Sequence, residues 1–254
     1  MNSPFDLSGK TILITGASSG IGRQCAICCS EMGADVILFG RNKERLKETF
    51  NLLNEKRNNF VLAADLTAYK EVEEIFNNHI KGKIKIDGVI NAAGISTTLP
   101  LKLVDTEKLN HFFNVNVTSA INITKLAIQK NNFSDDGGSV VFISSVMGVV
   151  GETAKTLYGL TKGALISGCR SLALEFSKRK IRFNTVSPGV VETPMSQNAV
   201  YSSDEESLTK IKNLHPLGLG KPEDVANVCA FLLSDASRWI TGTNIIVDGG
   251  YTAR

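Results

Sequence analysis

Short apolar runs of strand length alternate along this chain with longer stretches of helical character. The runs predict strands at Thr11–Thr15, Asp35–Phe39, Asn59–Ala63, Asp87–Asn91, Ser139–Ser144, Arg182–Val186 and Asn244–Val247. Most are continuously apolar and rich in Ile and Val, the composition of strands covered on both faces. The stretches between them predict helices over Ile21–Met32, Lys43–Lys56, Ala68–His79, Glu107–Gln129, Ala154–Ser177 and Pro222–Leu233. Such alternation builds right-handed βαβ units. The expected fold class is therefore α/β, a doubly wound parallel sheet of seven strands in a three-layer α/β/α arrangement.

One segment departs from the alternation. Val191 to Leu214 is polar, holds Tyr201 and an acid-rich stretch at Ser202–Ser207, and carries no strand signal. Bounded by Pro188-Gly189 and Pro216-Leu217-Gly218, it reads either as a plain surface insertion or as a mobile lid over a site. No internal repeat, low-complexity tract or linker divides the chain. The expected organisation is a single domain over residues 1–254 with a lid at 191–214.

Composition narrows the partners. The 254 residues are 43% hydrophobic and 21% charged with a net charge of +3, too little to argue for nucleic acid or an anionic membrane. No apolar run approaches the roughly 18 residues of a membrane span. Met1–Lys10 lacks the apolar stretch of a signal peptide, so a cytoplasmic location is expected. Cys25, Cys28, Cys29, Cys169 and Cys229, with three scattered histidines, lack zinc-ligand spacing, and no metal is expected.

The first chemical signal is Thr15-Gly16-Ala17-Ser18-Ser19-Gly20-Ile21-Gly22, between the first strand and the first helix. A pyrophosphate needs close backbone approach, free N–H groups and the positive end of a helix, and glycines in the first βα turn supply all three. The second strand then ends in Phe39-Gly40-Arg41-Asn42, where an NAD site places a ribose-binding carboxylate. Arg41 instead offers paired hydrogen bonds to a 2′-phosphate, with Lys43 and Arg45 adding positive field. NADP(H) is thus preferred, with NAD(H) possible; the competing reading is a solvated helix start.

Tyr158-Gly-Leu-Thr-Lys162 places a phenol and an ammonium on one helix face. Proton exchange at neutral pH requires the phenol to fall from about 10 by about three units, or ~4 kcal/mol. One positive charge about 4 Å away supplies that order at an effective dielectric of about 20. Ser144-Ser145 ends the preceding strand at the carboxyl edge of the sheet, where doubly wound folds bind ligands. Asn116, inside a helix with no propensity reason for it, is a candidate to hold a water near the site.

Together these motifs resemble the short-chain dehydrogenase/reductase family in its short single-domain branch, over essentially the whole chain. The glycine turn matches as Thr15–Gly22, and the family's NNAG element is represented by Asn91-Ala92-Ala93-Gly94, with Ala92 where Asn is more frequent. The resemblance implies a Rossmann-type fold and a catalytic tetrad of Asn116, Ser145, Tyr158 and Lys162. It implies cofactor contacts from Gly16, Ser18, Ser19, Gly20, Ile21, Gly22, Arg41, Asp65, Leu66, Asn91, Ala92, Gly94, Tyr158 and Lys162. Pro188, Gly189, Val191 and Thr193 resemble the element that closes over the nicotinamide. The ending from Trp239 through Gly250 resembles a strand often found in a tetramer interface, so a homotetramer, or a dimer, is expected.

The reading is an oxidoreductase that interconverts a ketone and a secondary alcohol, with a small-molecule substrate. The 3-oxoacyl-[acyl-carrier-protein] reductases of this branch are an alternative. They commonly place arginines where this chain has Asp136 and Leu174; Lys178, Arg179 and Lys180 lie nearby. A non-catalytic dinucleotide-responsive regulator and a nucleotide-sugar epimerase or dehydratase are further alternatives, the last expecting a longer region after Gly250. Specificity is expected in Ser96–Leu103, Val146–Thr156 and the lid.

Overall fold

The apolar runs become strands because side chains on both of their faces find a helix layer to pack against. The computed structural model describes residues 3–197 and 205–253. The strands are β1 (Thr11–Thr15), β2 (Asp35–Gly40), β3 (Phe60–Ala63), β4 (Gly88–Asn91), β5 (Gly138–Ile143), β6 (Ile181–Pro188) and β7 (Asn244–Val247). They form one sheet in the order β3-β2-β1-β4-β5-β6-β7, and every neighbouring pair is parallel.

The helices are α1 (Gly20–Glu31), α2 (Lys43–Phe50), α3 (Tyr69–His79), α4 (Thr106–Phe113), α5 (Ser119–Ala127), α6 (Thr156–Glu175), α7 (Pro194–Gln197), α8 (Glu205–Asn213) and α9 (Pro222–Leu233). Strand alternation sorts the core into two layers. Leu13, Ile37, Val89, Val140, Phe142 and Phe183 pack with residues of α3, α5 and α6, including Val72, Phe76, Ile123 and Leu165. Ile12, Ile14, Leu38, Ile90, Val141 and Val186 face the other way, onto Cys25, Ala26, Cys29, Val225 and Cys229 of α1 and α9. Burial of these thiols pushes Cys29 well above its usual pKa, so they serve as small apolar side chains.

Two helix expectations change, and the polar segment gains helices. The stretch expected as one helix from Glu107 to Gln129 is α4 and α5 joined by a π-helical turn at Asn114–Thr118. The second helix stops at Phe50 rather than Lys56. Beyond it the Lys56 N–H donates to Asn54 Oδ1 (3.0 Å) and Asn59 Nδ2 to the Asn54 carbonyl (3.0 Å), local bonds that compete with a helix. The Asn54 N–H reaches Ser30 Oγ (2.9 Å) and Asn59 Oδ1 accepts the Val36 N–H (2.9 Å). The polar segment after β6 carries α7 and α8; its residues 198–204, including Tyr201, lie outside the described residues. After β3 the chain crosses to the far side of β1, so the connections leaving β1 and β4 turn to opposite faces of the sheet and open a crevice at its carboxyl edge.

Candidate active site

The crevice holds about 780 Å³ and is lined by the segments that follow the strands at the carboxyl edge of the sheet. Its floor is the turn after β1. The Thr15 hydroxyl accepts the N–H groups of Ala92 (3.1 Å) and Ala93 (3.2 Å), tying the ends of β1 and β4 together. Gly16 sits at φ +66°, and a Cβ there would stand 2.8 Å from the Ala93 nitrogen. A Cβ on Gly22 would stand 2.3 Å from the Gly16 carbonyl oxygen. Neither position tolerates a side chain.

Ser19 caps α1 in extended backbone without a side-chain capping bond, and no acid occupies the first turn. The leading N–H groups and the positive helix end are thus left for an anion. The cradle fits the pyrophosphate of a dinucleotide. Arg23 braces it from behind, donating to the Ser18 carbonyl (2.8 Å), Thr49 Oγ1 (3.0 Å) and Glu48 (2.9 Å). Thr49 in turn donates to the Ala17 carbonyl (2.9 Å).

Arg41, Asn42 and Arg45 line the same crevice at the end of β2, whereas Lys43 does not. Asn42 caps α2 by accepting the Arg45 N–H (2.9 Å). Asp65 and Leu66 form the wall after β3. The Thr67 backbone N–H bond holds the Asp65 carboxyl below its ordinary value, assisted by the Thr67 hydroxyl and the Arg41 charge. A cation for a phosphate and a carboxylate for a base edge or hydroxyl therefore stand side by side.

Tyr158 and Lys162 reach the opposite end of the crevice from α6. Lys162 Nζ lies 5.6 Å from the Tyr158 ring centroid and donates to the Ile143 carbonyl (2.8 Å). Burial pushes its pKa down to about 8. Ser145 lines the crevice and accepts the Met147 N–H (3.2 Å). Its neighbour Ser144 has a structural part, donating to the Lys162 carbonyl (2.9 Å) and so fixing α6 to the end of β5. Gly94 keeps the approach to Lys162 open, since a Cβ there would stand 3.1 Å from Asn116 Oδ1 and 3.5 Å from Lys162 Nζ.

Two residues expected at the site do not line the crevice. Asn91 is buried at the end of β4 with Nδ2 donating to Thr124 Oγ1 (3.0 Å) on α5, so its side chain faces the helix layer. Asn116, in the π turn, accepts the Ile95 N–H (2.8 Å) and donates to the Ile95 carbonyl (3.0 Å) and Thr161 Oγ1 (3.0 Å). Both of its N–H groups are spent on protein. It clamps the loop after β4 to α6, the helix of Tyr158.

Pro188, Gly189, Val191 and Thr193 close the remaining side, and Thr193 Cγ2 would lie 3.2 Å from a Cβ on Gly20. Two residues that line the crevice were not singled out from sequence. His215, buried, accepts the Val190 N–H at Nε2 (3.1 Å), which assigns the proton to Nδ1, 2.8 Å from the Ile211 carbonyl. It ties the 188–193 loop to α8. Lys155 precedes α6 and donates to Thr98 Oγ1 (2.7 Å) and the Thr97 carbonyl (3.3 Å). The helix expected over Ala154–Ser177 takes it in, three positions before Tyr158, whereas the structure begins α6 at Thr156 and leaves Lys155 at the N-cap.

Comparisons with known proteins agree with this arrangement. The profile of the family described as enoyl-(acyl carrier protein) reductase matches residues 16–252. The chain is 36% identical over 249 residues to the 3-oxoacyl-[acyl-carrier-protein] reductase FabG of Thermotoga maritima, covering 96% of this chain and 98% of that one. A tropinone reductase homolog of Arabidopsis thaliana is 34% identical over 255 residues, covering 98% and 94%. A solved structure from Sinorhizobium meliloti, provisionally named a short-chain alcohol dehydrogenase, superposes with a TM-score of 0.89 at 32% identity over 99% of both chains. Another, from Agrobacterium tumefaciens, is provisionally named a 2-deoxy-D-gluconate 3-dehydrogenase and holds bound NADP. It superposes with a TM-score of 0.90 at 26% identity over the whole of both chains. Glycine cradle, Ser145, Tyr158 and Lys162 thus sit in a sheet whose relatives are reductases and dehydrogenases, and the chain belongs to the short-chain dehydrogenase/reductase family, an enzyme family of nicotinamide-dependent oxidoreductases.

Proposed function

We propose that the protein is an NADP(H)-preferring oxidoreductase interconverting a ketone and a secondary alcohol. The observation that carries the reading is the convergence of Ser145, Tyr158 and Lys162 on one end of a crevice whose other end is a glycine cradle with Arg41 beside it. Gly16, Ser18, Ser19, Gly20, Ile21 and Gly22 would hold the pyrophosphate, Arg41 the 2′-phosphate, and Asp65 with Leu66 the base. When bound, the nicotinamide supplies or accepts the hydride. Ser145 donates a hydrogen bond that orients and polarises the carbonyl oxygen. Tyr158 delivers a proton to the same oxygen, so that alkoxide charge does not accumulate. Lys162 favours the phenolate by its charge, and Asn116 positions α6 against the loop at Ile95.

The bound NADP of the Agrobacterium relative supports the cofactor preference. Arg41→Ala is expected to narrow the kcat/KM advantage of NADPH over NADH by at least tenfold. Equal use of both cofactors by the unaltered enzyme would refute the assignment. Tyr158→Phe is expected to lower turnover by about 10²–10⁴-fold while NADPH affinity changes far less; substantial residual turnover would refute the proton-donor role.

A carrier-protein reductase is the second reading, favoured by the Thermotoga relative. Against it, exposed Leu174 and Asp136 offer no cation to an acidic carrier. Comparing carrier-bound and free acyl thioesters separates the two. The single-domain organisation is part of the proposal, with α7 and α8 as a lid over the substrate end. So is a homotetramer or dimer in the cytoplasm. Trp239 (92% exposed) precedes β7, and Ile246 within that edge strand is also exposed, an apolar edge suited to a second copy. Light scattering gives the assembly state. Among the described residues no helix is long and apolar enough to cross a membrane.

A further inference from the structure

We propose that Lys155 binds a carboxylate on the substrate, so that the compounds turned over are short oxo and hydroxy acids. The inference rests on the carbonyl–alcohol reading above and narrows it. Lys155 lines the crevice together with Tyr158, as the N-cap residue of α6 three positions before it in the chain. A carboxylate held by Lys155 and a carbonyl held by Tyr158 therefore share one crevice, as the two ends of a short oxo acid would.

The ammonium is fixed in place. Thr98 Oγ1 and the Thr97 carbonyl take two of its three donors, and among the described residues no carboxylate lies within ion-pair distance. The third donor remains for a ligand. Desolvation by burial pushes its pKa down, with Glu152 opposing, the condition in which a bound anion restores most. The surrounding loops are cross-linked, since the Ala154 carbonyl accepts the Leu99 N–H (2.8 Å). Ala154 itself sits at φ +63°, a left-handed conformation that costs a non-glycine residue energy and recurs at ligand clamps. Glu152 lines the same wall and repels a second negative charge, which favours a carboxylate over a doubly charged phosphate.

The competing role for Lys155 is a strut between the two loops. Steady-state kinetics with NADPH on matched pairs distinguishes them: four- to six-carbon 2-, 3- and 4-oxo carboxylates against their methyl esters. The unaltered enzyme is expected to favour the best acid over its ester by about tenfold or more in kcat/KM, chiefly through KM. In Lys155→Met that preference should collapse toward unity, and Lys155→Arg should retain part of it. An ester preferred by the unaltered enzyme, or an acid-to-ester ratio unchanged in Lys155→Met, would overturn the proposal while leaving the oxidoreductase reading intact. If neither acids nor esters are reduced, the assignment of short oxo acids as the compounds turned over is overturned while the oxidoreductase reading stands. The carboxylate site is then read from NADPH-fluorescence titrations with the same acids. Weaker binding in Lys155→Met supports the site, and equal binding overturns it.

Discussion

Replacing Lys162 with Met tests whether the buried cation at the centre of the site is held at a cost to the fold. Burial lowers its pKa from 10.5 to about 8, which at 1.36 kcal/mol per unit is about 3 kcal/mol of disfavoured charge when the group is protonated. Below pH 8 the folded and unfolded chains both carry the proton, and the folded state bears that cost in full. Between pH 8 and 10.5 the unfolded chain binds a proton that the folded chain has released, so unfolding free energy rises with pH. Met does not titrate. Stability of the unaltered protein minus that of Lys162→Met should therefore be flat below pH 8 and climb by about 3 kcal/mol toward pH 10.5. At neutral pH the variant loses the bond to the Ile143 carbonyl and leaves that oxygen unpaired, a cost of about 1–3 kcal/mol. Relief of the buried charge offsets it, and the two proteins should be nearly equally stable at pH 7. Urea unfolding of both proteins, without cofactor, at pH 7, 8, 9 and 10 gives the difference directly. A difference that stays constant across this range, or falls with pH, would refute the reasoning. Turnover should disappear in the variant, and in the unaltered enzyme carbonyl reduction should decline as pH passes through about 8.

Gly22→Ala should abolish measurable NADPH binding in a fluorescence titration and destabilise the fold by about 1–3 kcal/mol, because the added methyl meets the Gly16 carbonyl oxygen. Asn116→Ala strips partners from both backbone groups of Ile95 and from Thr161. About 2–4 kcal/mol of stability should be lost in urea unfolding, and kcat should fall more than NADPH affinity, since the clamp acts on the helix of Tyr158.

The sheet was legible because its signal is local. Most strands are continuous apolar runs flanked by turn residues, and every expected strand overlaps an observed one within two residues at each end. The join between α4 and α5 was not legible. Asn114 (φ −62°, ψ −45°) and Ser119 (φ −61°, ψ −43°) keep helical backbone angles around the π turn, so neither propensity nor periodicity registers the extra residue. At the site, motifs with fixed spacing in one loop or helix could be read directly, as with the glycine turn and Tyr158–Lys162. The inward direction of Asn91 and Asn116 could not, because it depends on Thr124 and Thr161, each from another segment. His215 carried no motif; its partner Val190 lies 25 positions away. Arg23 was silent for the same reason, since its partners come from α2 as well as from its own turn.

The strand order also sets a timetable for synthesis. β1 lies between β2 and β4, but β4 is made more than 70 residues after β1 ends. At about 5–20 residues per second, one edge of Thr11–Thr15 waits roughly 4–15 s on the ribosome for its second neighbour. Through that interval a bare, apolar strand edge, together with the unfinished glycine turn beside it, is open to pairing with other nascent chains. The Thr15 bonds to Ala92 and Ala93 close that interval, so the step that completes the cofactor cradle is also the one that ends the chain's most exposed moment.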